Sequence, residues 1–147
     1  MSEATASAHP NLALVKYWGR VDPSLNLPAN DSISLNLSGA TTTTTVTFDP
    51  ALVKDEVILN GAPADEATYR RVGAHLDRVR ALAGVGPRAR VVSRNDFPAS
   101  AGVASSASAF AALSLAAVHA LGLDLTLREL SVLARKGSGS ACRSIPD

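Results

Sequence analysis

"NDFPASAGVASSASAF", residues 95–110, changes character at its middle. Before it, "RARVVSRNDF" (88–97) reads as a strand, and Pro98 closes that strand. After it, an alanine-rich helix is predicted from about Ala101 to Leu121, closed by Gly122. The joint between them is a run of small residues: Ser100, Ala101, Gly102, Val103, Ala104, Ser105, Ser106 and Ala107. Small side chains let backbone N–H groups approach an anion, and the free N–H groups and dipole of a helix start favour phosphate. Ser105 and Ser106 can add hydroxyl ligands to a phosphate, and Ser105 also to a magnesium ion. The stretch is neither a Walker loop nor a dinucleotide-binding fingerprint. A serine N-cap on a tightly packed helix is the simpler alternative. No acidic residue occurs from 97 to 123, which favours the anion site.

Working outward, "NLALVKYW" (11–18), "SISLNLSG" (32–39) and the β-branched "TTTTTVTFD" (41–49) read as strands. "DEVILNG" (55–61) ends in Asn60-Gly61, a tight-turn signal. Val72, Leu76, Val79 and Ala83 recur at helical spacing across 65–84, and Gly84 stops that helix. Thr126 with Glu129 forms a capping-box start for "LRELSVLARKG", and Gly137 falls where that helix is expected to end. The class is α+β, with helices on one face of a largely antiparallel sheet, and without internal repeat or long linker.

The bulk numbers set limits. A chain of 147 residues is about one ordinary domain, 46% apolar and 18% charged. A net charge of +1 offers no broad basic face for nucleic acid. The single cysteine, Cys142, forms no internal disulfide and suits a reducing, cytoplasmic setting. "MSEATASAHP" carries no apolar run of a signal peptide, and "AFAALSLAAVHALGL" is too short to span a membrane, so no membrane partner is expected.

A second cluster is "RKGSGSACRS" (135–144). Arg143 can grip a carboxylate or phosphate bidentately, and Ser138 and Ser140, separated by Gly139, can aim donors at the same oxygens. Arg135 and Lys136 suit the helix C-terminus. An ordinary glycine-capped helix end with a polar loop is the alternative. A third cluster lies in "NLALVKYWGRVDPSLNLPAN" (11–30): Lys16 among apolar residues needs an anionic partner if it is partly buried. Tyr17 and Trp18 are otherwise core or rim anchors. His9, His75 and His119 lack metal-ligand spacing, His75 and His119 read as surface or core fillers, and no G-x-S-x-G is present.

Together, "NLALVKYWGRVDPSLNLPAND", "NDFPASAGVASSASAFAAL" and "LARKGSGSACRS" resemble the diphosphomevalonate decarboxylase family of the GHMP kinase superfamily, in the family's order and spacing. The resemblance implies a GHMP-kinase N-terminal domain over residues 1–147, a fold shared with a ribosomal protein, with the C-terminal domain missing. It implies ATP and Mg2+ as cofactors and a mevalonate phosphate ester as substrate. The 3-hydroxyl is phosphorylated, then phosphate and carbon dioxide leave to give isopentenyl diphosphate. On that reading Ser100, Ala101, Gly102, Val103, Ala104, Ser105, Ser106 and Ala107 bind ATP. Lys16 is catalytic, paired with an aspartate outside this chain. Tyr17, Trp18, Gly19, Arg20, Arg70, Ser138, Gly139, Ser140, Ala141, Cys142 and Arg143 bind the substrate. A cytoplasmic homodimer is implied for the longer enzyme, and inactivity for this chain alone. Arg20 stands where many members have lysine, and Val103 and Ala109 where leucine or isoleucine and glycine are commoner. The competing readings are a phosphomevalonate decarboxylase, a mevalonate 3-kinase, a non-catalytic remnant of such an enzyme, and, in another class, an RNA-binding or interaction module of the same fold.

Overall fold

Strand β6 (Thr42–Asp49) is the axis of the fold, and its sequence explains why. Thr42, Thr44, Val46 and Phe48 point inward and are buried, while Thr43, Thr45 and Thr47 face outward. This is the period of two that a half-buried strand requires. The computed structural model describes residues 1–16, 18–97 and 105–145.

β6 pairs on one side with β1 (Ser2–Ala8), to which the sequence reading assigned no element. Ala4, Ala6 and Ala8 turn inward, while Thr5 meets Thr45 at 2.7 Å and Ser7 meets Thr43 at 2.9 Å on the outer face. Alanine and serine are weak strand formers, so β1 exists because of its partner rather than its own propensity. On its other side β6 pairs with β9 (Arg88–Asn95), and β9 runs parallel to β7 (Glu56–Leu59). β7 turns into β8 (Ala62–Pro63) through Asn60 and Gly61, both at positive φ (50° and 86°), the tight turn that the Asn-Gly pair implied. The five-stranded order is β1-β6-β9-β7-β8, antiparallel except for one pair.

Helix α2 (Ser105–Ala120) packs on the inner face against β1 and β6, and two further helices pack against it. Helix α1 (Glu66–Ala83) is capped by Asp65 and stopped by Gly84 in the left-handed conformation. Helix α2 is buried nearly all round, its alanines allowing close approach to the sheet. Helix α3 (Leu127–Gly137) starts with the expected Thr126–Glu129 capping box. At its other end the helix stops at Gly137, as expected, but without a left-handed glycine cap. Gly137 is the last helical residue, and Ser138 follows in an extended conformation. A Cβ on Gly137 would overlap the Phe110 ring at Cδ1, so the glycine is there for close packing. Asp55, buried at the start of β7, receives both Arg80 guanidinium nitrogens (3.0 and 2.9 Å) and the Ala89 amide (2.8 Å), tying α1 to the sheet.

Two small ribbons lie beside this core. β2 (Asn11–Val15) pairs with β5 (Ile33–Asn36), and β3 (Arg20–Asp22) with β4 (Leu27–Pro28). Strands expected over 11–18 and 32–39 are therefore shorter, and the β3–β4 hairpin was not expected. Among the described residues no helix is long and apolar enough to cross a membrane.

Candidate active site

The start of α2 borders a cavity of about 290 Å³. Ser105 and Ser106 line it, facing Arg71 on α1 and Asn60, Ser93 and Asn95 on the sheet. Leu59, Val72, Val91, Phe110 and Leu113 make its apolar wall. The two amides are held by the fold: Asn60 Oδ1 accepts from the Asn95 amide (2.9 Å), and Asn95 Oδ1 accepts from Thr42 Oγ1 (2.8 Å). The Arg71 guanidinium lies 5.1 Å from the Phe110 ring centre and donates to the Gly137 carbonyl (3.3 Å). Ala107 is fully buried beneath this site. Ser100, Ala101, Gly102, Val103 and Ala104 lie outside the described residues.

A hydroxyl contact links this cavity to the second cluster. Ser138, buried at the end of α3, donates to Ser106 Oγ at 3.3 Å. Beyond it a short 3-10 turn, Ala141–Ser144, folds over Asn11. Asn11 is buried at the start of β2 and makes three contacts. Its Nδ2 donates to the Ser140 carbonyl (3.1 Å) and Ser144 Oγ (2.8 Å), and its Oδ1 accepts from Arg143 Nη2 (3.3 Å). Arg143 Nη1 donates to Ser32 Oγ (2.9 Å). The Gly139 carbonyl accepts from Cys142 Sγ (3.6 Å), and Ala141 is buried beneath the turn. Among the described residues no carboxylate pairs with Arg143, so its charge is held by neutral oxygens alone. A half-buried guanidinium in that state favours an anion.

The third cluster is laid out differently from the sequence expectation. Lys16 is exposed rather than embedded, and Trp18 is 88% exposed rather than a core anchor. The strand ends at Val15, so the residues after it leave the packed layer. Tyr17 lies outside the described residues. Asn30 holds the backbone on either side of it, accepting from the Trp18 amide (3.0 Å) and donating to the Lys16 carbonyl (3.3 Å). The Gly19 carbonyl accepts from the Ala29 amide (2.9 Å). Arg20 donates to Asn26 Oδ1 (3.0 Å), and Asn26 Nδ2 donates to the Arg135 carbonyl (3.0 Å), docking the hairpin on the end of α3. Trp18, Gly19, Arg20 and Pro23 border an open groove. Arg70 points away from the cavity's lining set and pairs with Glu66 at 2.7 Å on the exposed side of α1. Its neighbour Arg71 is the one at the cavity. Helical phase relative to the buried Val72 and His75 was the available signal for that choice.

A family model for the diphosphomevalonate decarboxylase-like N-terminal domain matches residues 8–147. The chain belongs to this family. Among curated relatives, the phosphomevalonate decarboxylase of Haloferax volcanii is 43% identical, covering 97% of this chain and 44% of its own length. The diphosphomevalonate decarboxylase of Aspergillus fumigatus is also 43% identical, covering 97% and 39%. Among solved structures, the mevalonate diphosphate decarboxylase of Staphylococcus aureus superposes with a TM-score of 0.94 at 45% identity, covering 97% of this chain and 43% of that one. A structure of MDDEF in complex with MVAPP, AMPPCP and magnesium superposes with a TM-score of 0.92 at 48% identity, covering 97% and 44%. The chain thus spans about two-fifths of the length of these decarboxylases. Its fold is their GHMP-kinase N-terminal architecture. Asn11, Asn26, Asn30, Ser32, Arg71, Ser93 and Asn95 border the candidate site and were not singled out by sequence reasoning.

Proposed function

We propose that this chain supplies the nucleotide cavity and the anion-gripping loop of an ATP-dependent decarboxylase acting on a mevalonate phosphate ester. The observation that carries the reading is the Arg143 guanidinium, oriented by Asn11 and Ser32 without a carboxylate partner among the described residues, next to a serine pair that leads into the α2 cavity. Arg143 orients the substrate's carboxylate or phosphate, and Ser138 and Ser140 add neutral donors. The cavity takes the nucleoside between its apolar wall and the amides of Asn60 and Asn95, with the phosphates towards Ser105 and Ser106 and the small-residue run 100–107. Lys16, Tyr17, Trp18, Gly19 and Arg20 form the substrate's other side, with Ala141 and Cys142 shaping the turn. Arg70 reaches this pocket only by leaving Glu66.

Magnesium finds only neutral oxygens here, the Ser105 hydroxyl among them, and no carboxylate among the described cavity residues, a poor donor set for it. No step is derived through it. In the longer enzyme the 3-hydroxyl proton passes to a base outside this chain as the oxygen takes the γ-phosphoryl group of ATP. The C3–O bond then breaks with departure of phosphate, and the electrons of the C2–carboxylate bond form the double bond as carbon dioxide leaves. Positioning and charge neutralisation dominate such chemistry. A cation on the carboxylate also stabilises the ground state, so Arg143 serves to orient rather than to drive the loss. Equal identity to the Haloferax phosphomevalonate decarboxylase supports a monophosphate substrate as the second reading.

Calorimetric titration of the chain with mevalonate 5-diphosphate, mevalonate 5-phosphate and AMPPCP tests this. Arg143→Ala should weaken the mevalonate ester at least tenfold and leave AMPPCP unchanged. Equal effects on both ligands, or none on the ester, refute the assignment.

A further inference from the structure

Arg20 stands in the β3–β4 hairpin beside the open groove, exposed and without a carboxylate partner among the described residues. The hairpin's own acid does not take it. Asp22 Oδ1 accepts instead from the Ser24 amide (2.8 Å), the Ser24 hydroxyl (2.6 Å) and the Leu25 amide (3.2 Å). Arg20 Nη1 donates to a neutral acceptor, Asn26 Oδ1, at 3.0 Å.

The other end of that amide is also engaged. Asn26 Nδ2 donates to the Arg135 carbonyl (3.0 Å) in the last turn of α3, where the helix has no N–H of its own left to offer. One planar side chain therefore spans Arg20 and the end of α3, and α3 leads directly into Ser138 and the turn that carries Arg143. Asn26 has a φ of 51°, in the left-handed region. Glycine adopts that region more readily than asparagine, so it is the side chain that this position uses. Arg143 is held in the same manner, by Asn11 Oδ1 and Ser32 Oγ, both neutral. A carboxylate would hold either guanidinium harder, and it would cancel the charge that an incoming anion needs.

We propose that Asn26 is a positioning residue, a neutral latch that aims Arg20 at an anion in the groove, leaves its charge uncancelled and ties that aim to the end of α3. The proposal rests on the reading of this groove as one side of a pocket for a mevalonate phosphate ester.

The test joins calorimetric titration of the chain with mevalonate 5-diphosphate to 15N relaxation at Arg20 Nε. Asn26→Gly keeps the left-handed backbone and removes both hydrogen bonds. Arg20 Nε should then become mobile, its order parameter falling below about 0.6. The ester should bind about fivefold more weakly, and AMPPCP should bind as it does to the wild type. Asn26→Asp keeps the acceptor but adds a charge, so Arg20 Nε should stay ordered while the ester still weakens. In an Arg20→Ala background Asn26→Gly should cost no further ester affinity, because Asn26 acts through Arg20. The proposal is overturned if Asn26→Gly weakens the ester equally in both backgrounds or leaves Arg20 Nε ordered, or if Asn26→Asp binds the ester as tightly as the wild type. A wild-type chain that binds no ester overturns the substrate reading instead. The Arg20 Nε order of Asn26→Gly then decides the latch, lost if Asn26 aims the guanidinium and kept if it does not.

Discussion

Acid should destabilise this fold earlier than its carboxylates alone would, and His75 is the reason. His75 lies fully buried between α1 and α2, its ring edge-on to Phe110 at 5.4 Å. Ser114 Oγ donates to the Phe110 carbonyl (2.6 Å), so it accepts from His75 Nε2 at 2.8 Å. That places the proton on Nε2 and leaves Nδ1 as a buried lone pair without a partner among the described residues. Burial, followed by the charge of Arg78, pushes the imidazole down from 6.5 to about 3. Below pH 6.5 the unfolded chain therefore takes up a proton that the folded chain refuses, and stability falls as pH falls until about pH 3. At about 1.36 kcal/mol per unit, the cost is about 2 kcal/mol at pH 5. Urea unfolding followed by far-UV circular dichroism at pH 7.5 and pH 5 measures it, as a loss of about 1 M in midpoint. His75→Gln keeps a donor to Ser114 and cannot titrate, so its midpoint should move far less over the same interval. The carboxylates of Asp22, Asp65 and Glu129 are held low by hydrogen bonds from Ser24, from the Thr68 amide and from Thr126, and lose their contribution only as pH drops through the range below about 4.5. Equal pH dependence in wild type and His75→Gln would refute the argument.

Three further outcomes follow from the packing. Gly137→Ala drives a methyl into Phe110 and His75 and should cost about 2–3 kcal/mol, read as a fall in thermal midpoint of several degrees. Asp55→Ala leaves the buried Arg80 guanidinium with Asp77 as its one carboxylate partner among the described residues and should cost about 3 kcal/mol by the same melts, whereas Glu66→Ala on the exposed Arg70 pair should cost under about 0.5 kcal/mol. Asn11→Ala removes the contacts that hold the 140–144 turn. It should lower stability by about 1–3 kcal/mol and speed amide exchange at Ala141 and Arg143, with β6 still protected.

Much of the architecture was legible because local chemistry and tertiary need agree. The alternation along 42–49, the Asn60-Gly61 turn, Gly84 and the Thr126–Glu129 box each act over a few residues, and each stands where the residues imply. The family was legible for a similar reason: the three motif clusters that carry the resemblance are each short and local in sequence. β1 was not legible, since "SEATASA" becomes a strand only against the outward threonines of β6. Neither was Gly137, whose missing Cβ answers to Phe110, 27 positions away in sequence.

The sequence by itself determined the period of each main element, its caps and the family, because these depend on neighbours one to four residues apart. Only the tertiary structure decided which cations stand at the site. Arg71 faces the cavity and Arg70 the solvent, Lys16 lies exposed beyond the end of β2, and Arg143 is aimed by an asparagine 132 positions away. A side chain's direction is set by helical phase, by where a strand stops and by long-range hydrogen bonds, and residue type carries none of these.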